Sequence, residues 1–396
     1  MRQAETVTSE TLSGVWTDLI GQGKVVEVLR RAVQARFEGG NTRAMTHAWL
    51  FTGPPGSGRS NAARAFAAAL QCPSGGCGEC NTCVTVLSGA HPDVTLVRTE
   101  QLSIGVDEVR ELIRRAAMAP TLSPFQVLVV EDADRVTERG ADALLKSIEE
   151  PAPRTVWLLC APTADDLVAT VRSRCRRVEL ATPTDVAITE LLQRRDRIDP
   201  VTAASAARVA QGHIGRARVL ARSEDARQRR DDILRLPTRL TSLGACLHAA
   251  EQLVEAAKAD AAAITAELDS TERAALAEAL GMGTPSVKAR NAQAAMRDLE
   301  EQQKARGKRL QRDSLDRVLT DLTSFYRDVL IVQTGAGRPL INAEQIDQVE
   351  RIASDSTAEQ SIGCLDAILV CREALAANVA PTLAMEALLI SLGGVA

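Results

Sequence analysis

Residues 53–60 read GPPGSGRS, set between a short apolar run, Ala48-Trp49-Leu50-Phe51, and an Ala-rich helical stretch that reaches Leu70. A strand that breaks into glycines and re-enters as a helix leaves few folds open. Gly53, Gly56 and Gly58 let the backbone turn tightly, so that successive N–H groups wrap an anion at the positive end of the following helix. This is the spacing of a phosphate-binding (Walker A) loop. Two further apolar runs, 127–130 and 156–160, are continuous rather than alternating, as strands are when both faces of a parallel sheet are covered. Helical periodicity over 107–117 and 141–150, the second stopped by Pro151, separates them and implies right-handed β-α-β crossovers. A doubly wound α/β domain is predicted for residues 1–182, with an early helix over 16–35 that ends at Gly39-Gly40.

Beyond Pro183 no strand candidate stands out. The rest reads as helices broken at Pro200, Gly212, Pro237, 281–285, 335–339 and Pro381, so the second half is predicted all-α. Aromatic residues make up only 2% of the chain and Ala, Leu and Val recur, which suits helices packed through small aliphatic side chains. The net charge of -4 excludes a globally basic nucleic-acid coat, so any DNA contact is local or shared. No run approaches the roughly 20 apolar residues that span a bilayer, and no early apolar segment resembles a signal sequence. The expected compartment is the cytoplasm, where cysteines stay reduced.

Four of the nine cysteines, Cys72, Cys77, Cys80 and Cys83, crowd into twelve residues, with Gly75, Gly76 and Gly78 between them. That spacing predicts a closed tetrahedral thiolate site for structural Zn2+, with no open position for chemistry. His91 is expected to be structural, since four thiolates already complete the site.

The phosphate loop departs from a working one. The position of the phosphate-reaching lysine is Arg59, followed by Ser60, and the apolar run 127–130 leads into Glu131-Asp132, the reverse of the usual Asp-Glu order. Arginine keeps the charge on a bulkier planar group, and each carboxylate has its reach changed by a methylene. Hydrolysis depends on positioning, so it is expected to be weak. Binding of ATP or ADP with Mg2+ stays open, because Gly53, Gly58 and Ser60 still form a cradle.

These residues resemble the bacterial clamp-loader branch of the AAA+ ATPases, related to eukaryotic replication factor C. Leu19-Ile20-Gly21-Gln22 resembles the family's N-terminal box near the adenine pocket, and the four cysteines match its zinc module. The stretch 143–151, ALLKSIEEP, resembles its ALLKTLEEP helix, and Ser173-Arg174-Cys175 its SRC motif. The likeness covers about residues 15–220. It implies an AAA+ α/β domain (1–182) with a zinc module (72–83), a helical lid and linker (183–236) and a helical, oligomerising collar (237–396). The implied partners are gamma/tau motor subunits and the delta subunit in a pentameric ring, with the sliding clamp and primer-template DNA met through the complex.

Within that family the departures favour the weak-ATPase subunit type over the motor type. The place of the motor's polar sensor-1 residue falls at Ala161-Pro162, and Gly215 stands where its sensor-2 arginine would, with Arg216 adjacent. The run 104–111, preceded by His91-Pro92-Asp93, points the same way. By itself Arg174 reads as an ion-paired surface residue. The resemblance makes it an arginine finger that acts in trans on a neighbouring motor's γ-phosphate, while Arg172, Arg176 and Arg177 are candidates for DNA phosphates. The basic run from Lys304 to Arg312 reads as a solvated helix face. Two other readings are an ATP-hydrolysing motor and a stand-alone zinc protein that binds DNA.

Overall fold

The apolar runs become the centre of a single parallel sheet: β1 (Ala48–Thr52), β2 (Val94–Val97), β3 (Gln126–Val130), β4 (Thr155–Ala161) and β5 (Arg176–Glu179), in the spatial order β2-β3-β4-β1-β5. The computed structural model describes residues 12–37, 44–98, 103–279 and 289–394. The breaks expected at Gly39-Gly40 and 281–285 lie outside the described residues. Every residue of β1, β3 and β4 is buried. Alternate residues feed two separate cores: Trp49, Phe51, Val127, Val129, Val156 and Leu158 one, and Leu50, Leu128, Val130, Trp157 and Leu159 the other. A strand covered on both faces has no polar side to show, which is why these runs are continuous.

Helices α1 (Gly23–Phe37), α2 (Arg59–Gln71) and α3 (Asn81–Ser88) line the first core, and α4 (Val106–Ala116), α5 (Glu138–Glu149) and α6 (Ala169–Arg172) line the second. α2 is buried almost all round through its alanines, so it presents no polar stripe. β2 and β5 were not among the expected strands. Both are sheet edges, and β5 buries only Val178 while exposing Arg176, Arg177 and Glu179, so neither shows the apolar run of a central strand.

The chain divides into two compact units, residues 1–222 and 223–396. Of the segment expected as lid and linker, α7 (Asp185–Asp196), α8 (Pro200–Ala210) and α9 (Ile214–Arg222) lie in the first unit, and α10 (Glu224–Leu234) in the second. Pro200 occupies the first turn of α8 rather than interrupting a helix, and Asp199 caps it by accepting from Val201 N and Thr202 N.

The second unit holds helices and no strand among its described residues. It contains α10 with α11 (Leu243–Ala279), α12 (Ala289–Thr334), α13 (Ile346–Asp355), α14 (Ala358–Ala376) and α15 (Pro381–Gly393). Its core gathers Cys246 and Ala250 of α11, Leu319, Leu322 and Phe325 of α12, Cys371 of α14 and Met385 of α15. Beside this core the fully buried Asp328 accepts from Ile341 N, Asn342 N and Asn342 Nδ2 at 3.1, 2.7 and 2.8 Å. The basic run departs from its expected solvated face most at Arg306, and Arg309 keeps only 16% of its side chain exposed. Arg306 is buried and pairs with Asp269 and Glu272 of α11 at 2.5 Å, which holds Glu272 below the usual carboxylate range. No helix among the described residues is long and apolar enough to cross a membrane.

Candidate nucleotide and metal sites

The four cysteines sit where α2 hands over to α3. Cys72 ends α2, Cys80 caps α3, and Cys83 lies in its first turn. All four sulfurs lie within 4.8 Å of one another, with Cys72 Sγ 3.7 Å from Cys77 Sγ and 3.8 Å from Cys80 Sγ. A tetrahedron with zinc–sulfur bonds of about 2.3 Å has edges of about 3.8 Å, so the spacing fits that ion. Backbone N–H groups of Gly78, Cys80 and Cys83 donate to Cys83, Cys77 and Cys80 sulfurs, each at 3.4 Å; backbone hydrogen bonds hold the Cys77 thiol below its ordinary value, while burial pushes the Cys83 thiol up. Burial alone would raise the Cys72 thiol, but backbone hydrogen bonds bring it down to about 6. The donor set therefore suits a structural metal. Among the described residues it is the group placed to hold one.

His91 stands apart from this cluster. It is buried, its Nδ1 accepts from Asp93 N at 3.1 Å, and its Nε2 lies 3.1 Å from Ser123 Oγ. Asp93 in turn accepts from the backbone N–H groups of Thr121, Leu122 and Ser123 at 2.6, 2.7 and 2.8 Å. These two residues fasten the loop that leads into β3.

The glycine loop opens at the end of β1 and closes into α2, whose first residues are Arg59 and Ser60. Gly53 N donates to Pro162 O at 3.0 Å, so the residue just past the end of β4 braces the start of the loop by backbone. At its tip, Gly56 has φ +80°, and a Cβ there would lie 2.2 Å from His213 Cγ. His213 precedes α9 and covers the loop, while Ile214 N donates to Gly56 O at 3.3 Å. Gly215 follows, and Arg216 N donates to His213 Nδ1 at 3.1 Å. From the N-terminal box, buried Gln22 accepts from Ala181 N at 3.1 Å and donates to Ala181 O at 2.7 Å and Ser57 O at 3.5 Å. Thr52 Oγ1, Ser57 Oγ and Arg59 Nη1 are buried without a hydrogen-bond partner among the described residues. Three such donors in and beside a glycine loop fit an anionic group.

At the end of β3, Glu131 is committed elsewhere. Its Oε1 accepts from Arg64 Nε at 2.6 Å and lies 2.5 Å from Arg64 Nη2, and only 8% of its side chain is exposed. Asp132 follows in the turn that begins the 3-10 helix Ala133–Arg135. Neither the role of Arg64 nor that of His213 was expected from the sequence. Each depends on a partner 67 or more residues away, although basic Arg64 sits one turn beyond the loop, where it could be noticed.

Arg174 emerges in the turn between α6 and β5, with 38% of its side chain exposed. Its Nη2 lies 2.5 Å from Glu149 Oε1, and Nη1 donates to Thr170 O at 2.7 Å and Ser173 Oγ at 3.2 Å. Of the neighbouring arginines, Arg172 pairs with Asp165, and Arg176 donates to Ala44 O at 2.6 Å with its guanidinium over the Trp49 ring.

A family profile described as DNA polymerase III, delta subunit, matches residues 22–184, and another described as DNA polymerase III, delta subunit, C terminal, matches residues 308–393. The delta' subunit of Pseudomonas aeruginosa is 36% identical over 163 residues, which is 40% of this chain and 50% of that protein. The gamma/tau subunit of Mycobacterium tuberculosis is 34% identical over 164 residues, 40% of this chain and 27% of that protein. The tau subunit of Bacillus subtilis is 25% identical over 351 residues, 87% of this chain and 55% of that protein. The chain thus spans no more than 55% of the length of these relatives. Two delta-subunit profiles in chain order, the first over the parallel five-stranded sheet and the second over the helical region, lead to one conclusion: the chain belongs to the DNA polymerase III clamp-loader subunits, the family of the delta-prime and gamma/tau proteins.

Proposed function

We propose that this chain is a delta-prime-type subunit that helps load the sliding clamp onto primed DNA, hydrolyses ATP weakly or not at all, and lends Arg174 to a neighbouring motor. The observation that carries the reading is the Arg64–Glu131 pair. A carboxylate locked onto a guanidinium inside the protein is poorly placed to coordinate magnesium or orient water, and phosphoryl transfer depends on that placement. The loop still has the means to hold a nucleotide. Residues 53–60 would cradle its phosphates, with Arg59 in the lysine position and the buried hydroxyl of Ser57 as a donor. The four thiolates would hold one Zn2+ that fixes the module on α2 without taking part in chemistry. In the ring, gamma/tau and delta subunits are the partners, and DNA is met through the complex.

The test is a loader reconstituted from this chain with gamma/tau and delta subunits. An arginine finger is worth on the order of 10³ or more in turnover, so Arg174→Ala is expected to abolish hydrolysis at the adjoining motor site and to slow clamp loading. Unchanged loader ATPase and unchanged loading remove the finger. Robust ATP hydrolysis by the isolated chain, lost on Arg59→Ala, would establish the motor reading instead.

A further inference from the structure

Arg174 is not a loose side chain. Glu149 is the last residue of α5, a helix whose Leu144 and Ile148 are buried in the core and whose C-terminal carbonyl at Ile148 meets His47 Nε2 at 2.7 Å. The backbone that carries Glu149 is therefore fixed to the start of β1. From there its carboxylate reaches Arg174 Nη2, while the Thr170 carbonyl and Ser173 hydroxyl hold Nη1. The negative end of the α5 dipole favours a cation at the same place.

We infer that Glu149 is the positioning residue of Arg174, holding the guanidinium ready for an anionic phosphate supplied by a neighbouring subunit; this rests on the finger reading above. The pair is 38% and 44% exposed, so as an ion pair it adds little to stability. Its value lies in order. A free arginine samples many rotamers, and part of that freedom must otherwise be lost at every productive encounter. Three tethers remove much of that freedom in advance. A guanidinium has five N–H donors, so some remain for the phosphate.

The test uses the reconstituted loader and compares Glu149→Ala, Glu149→Gln, Arg174→Ala and the Glu149→Ala/Arg174→Ala double variant. Glu149→Ala is expected to lower kcat for ATP about fivefold, the equivalent of re-ordering part of one arginine side chain. KM for ATP and the subunit composition by size-exclusion chromatography should stay the same. Glu149→Gln, which keeps an acceptor oxygen at the same reach, should recover part of the rate. In the Arg174→Ala background, Glu149→Ala should add nothing. An unchanged or higher kcat for Glu149→Ala, alongside a loss for Arg174→Ala, overturns the role of Glu149 and leaves the finger standing. So does a further loss when Glu149→Ala is added to Arg174→Ala, or a loader that no longer assembles. If Arg174→Ala is itself without effect, the finger reading fails and the positioning role goes with it.

Discussion

Replacing Gly56 by alanine tests how closely His213 seals the phosphate loop. Two costs add. At φ +80° an L residue occupies the left-handed region, which costs about 1–2 kcal/mol. The new Cβ would also lie 2.2 Å from His213 Cγ and 2.6 Å from His213 Cα. The ring can swing aside, but the Cα belongs to a backbone anchored by His213 N to Ala210 O at 2.9 Å and Ala217 N to His213 O at 3.0 Å. The start of α9 must therefore retreat and give up the Ile214–Gly56 hydrogen bond. Forcing a methyl group into a packed contact costs about 1–3 kcal/mol, so the expected total is about 2–5 kcal/mol. The three tryptophans, Trp16, Trp49 and Trp157, all lie in the first unit and are at most 2% exposed, so their fluorescence follows that unit alone during urea unfolding. Because the clash with the His213 backbone survives removal of the ring, the penalty should persist in a His213→Ala background. A loss below about 0.5 kcal/mol in both backgrounds, the range of an ordinary surface substitution, would refute the close packing of His213 on the loop.

Cys80→Ser is expected to reduce zinc content from one ion per chain to near none by atomic absorption, and to lower the urea midpoint of the tryptophan transition, because α2 and α3 lose the staple between them. Zinc retained at full occupancy would contradict a four-thiolate site. Asp93→Asn probes a carboxylate that burial would push up, but that three backbone N–H donors and the nearby His91 hold below its usual range. A depressed folded pKa gives stability that is complete above the unfolded value, about 3.9, and is lost as pH falls through the folded one. The variant should thus lose about 2 kcal/mol at pH 7, typical of hydrogen bonds to a charged group, and show a shallower decline in stability below pH 4. An acid limb as steep as that of the unaltered chain would rule this carboxylate out as a source of the pH dependence.

What could be read in the sequence follows from whether each contact is local. β1, β3 and β4 were legible because burial on both faces leaves an unbroken apolar run. β2 and β5 were not, since an edge strand such as Arg176–Glu179 needs only Val178 inward to pair with β1. The thiolate cluster was legible because its ligands are neighbours in the chain. The partners that shape the candidate nucleotide site are not neighbours: Arg64 meets Glu131 67 residues away, and Gly56 meets His213. Arg306 shows the same limit, since a basic residue among alternating charges reads as solvated until Asp269 and Glu272 arrive from the facing helix.

On the proposed reading, the arginines explain how a phosphate loop could hold a nucleotide without its reaction. Arg59 keeps positive charge at the helix start, but Arg64 neutralises Glu131, the strand-end carboxylate on which a magnesium ion would depend. Cation and carboxylate then satisfy each other inside the protein, in a buried setting where breaking one partner costs far more than removing both. That makes the arrangement hard to reverse by single substitutions: restoring lysine at position 59 leaves Glu131 bound, and removing Arg64 leaves Glu131 buried and unpaired. Arg174 is under no such constraint. Its pairing with Glu149 is partly in solvent, and in the proposed finger role it would be weak enough to be exchanged for a phosphate and tethered enough to be in place when one arrives.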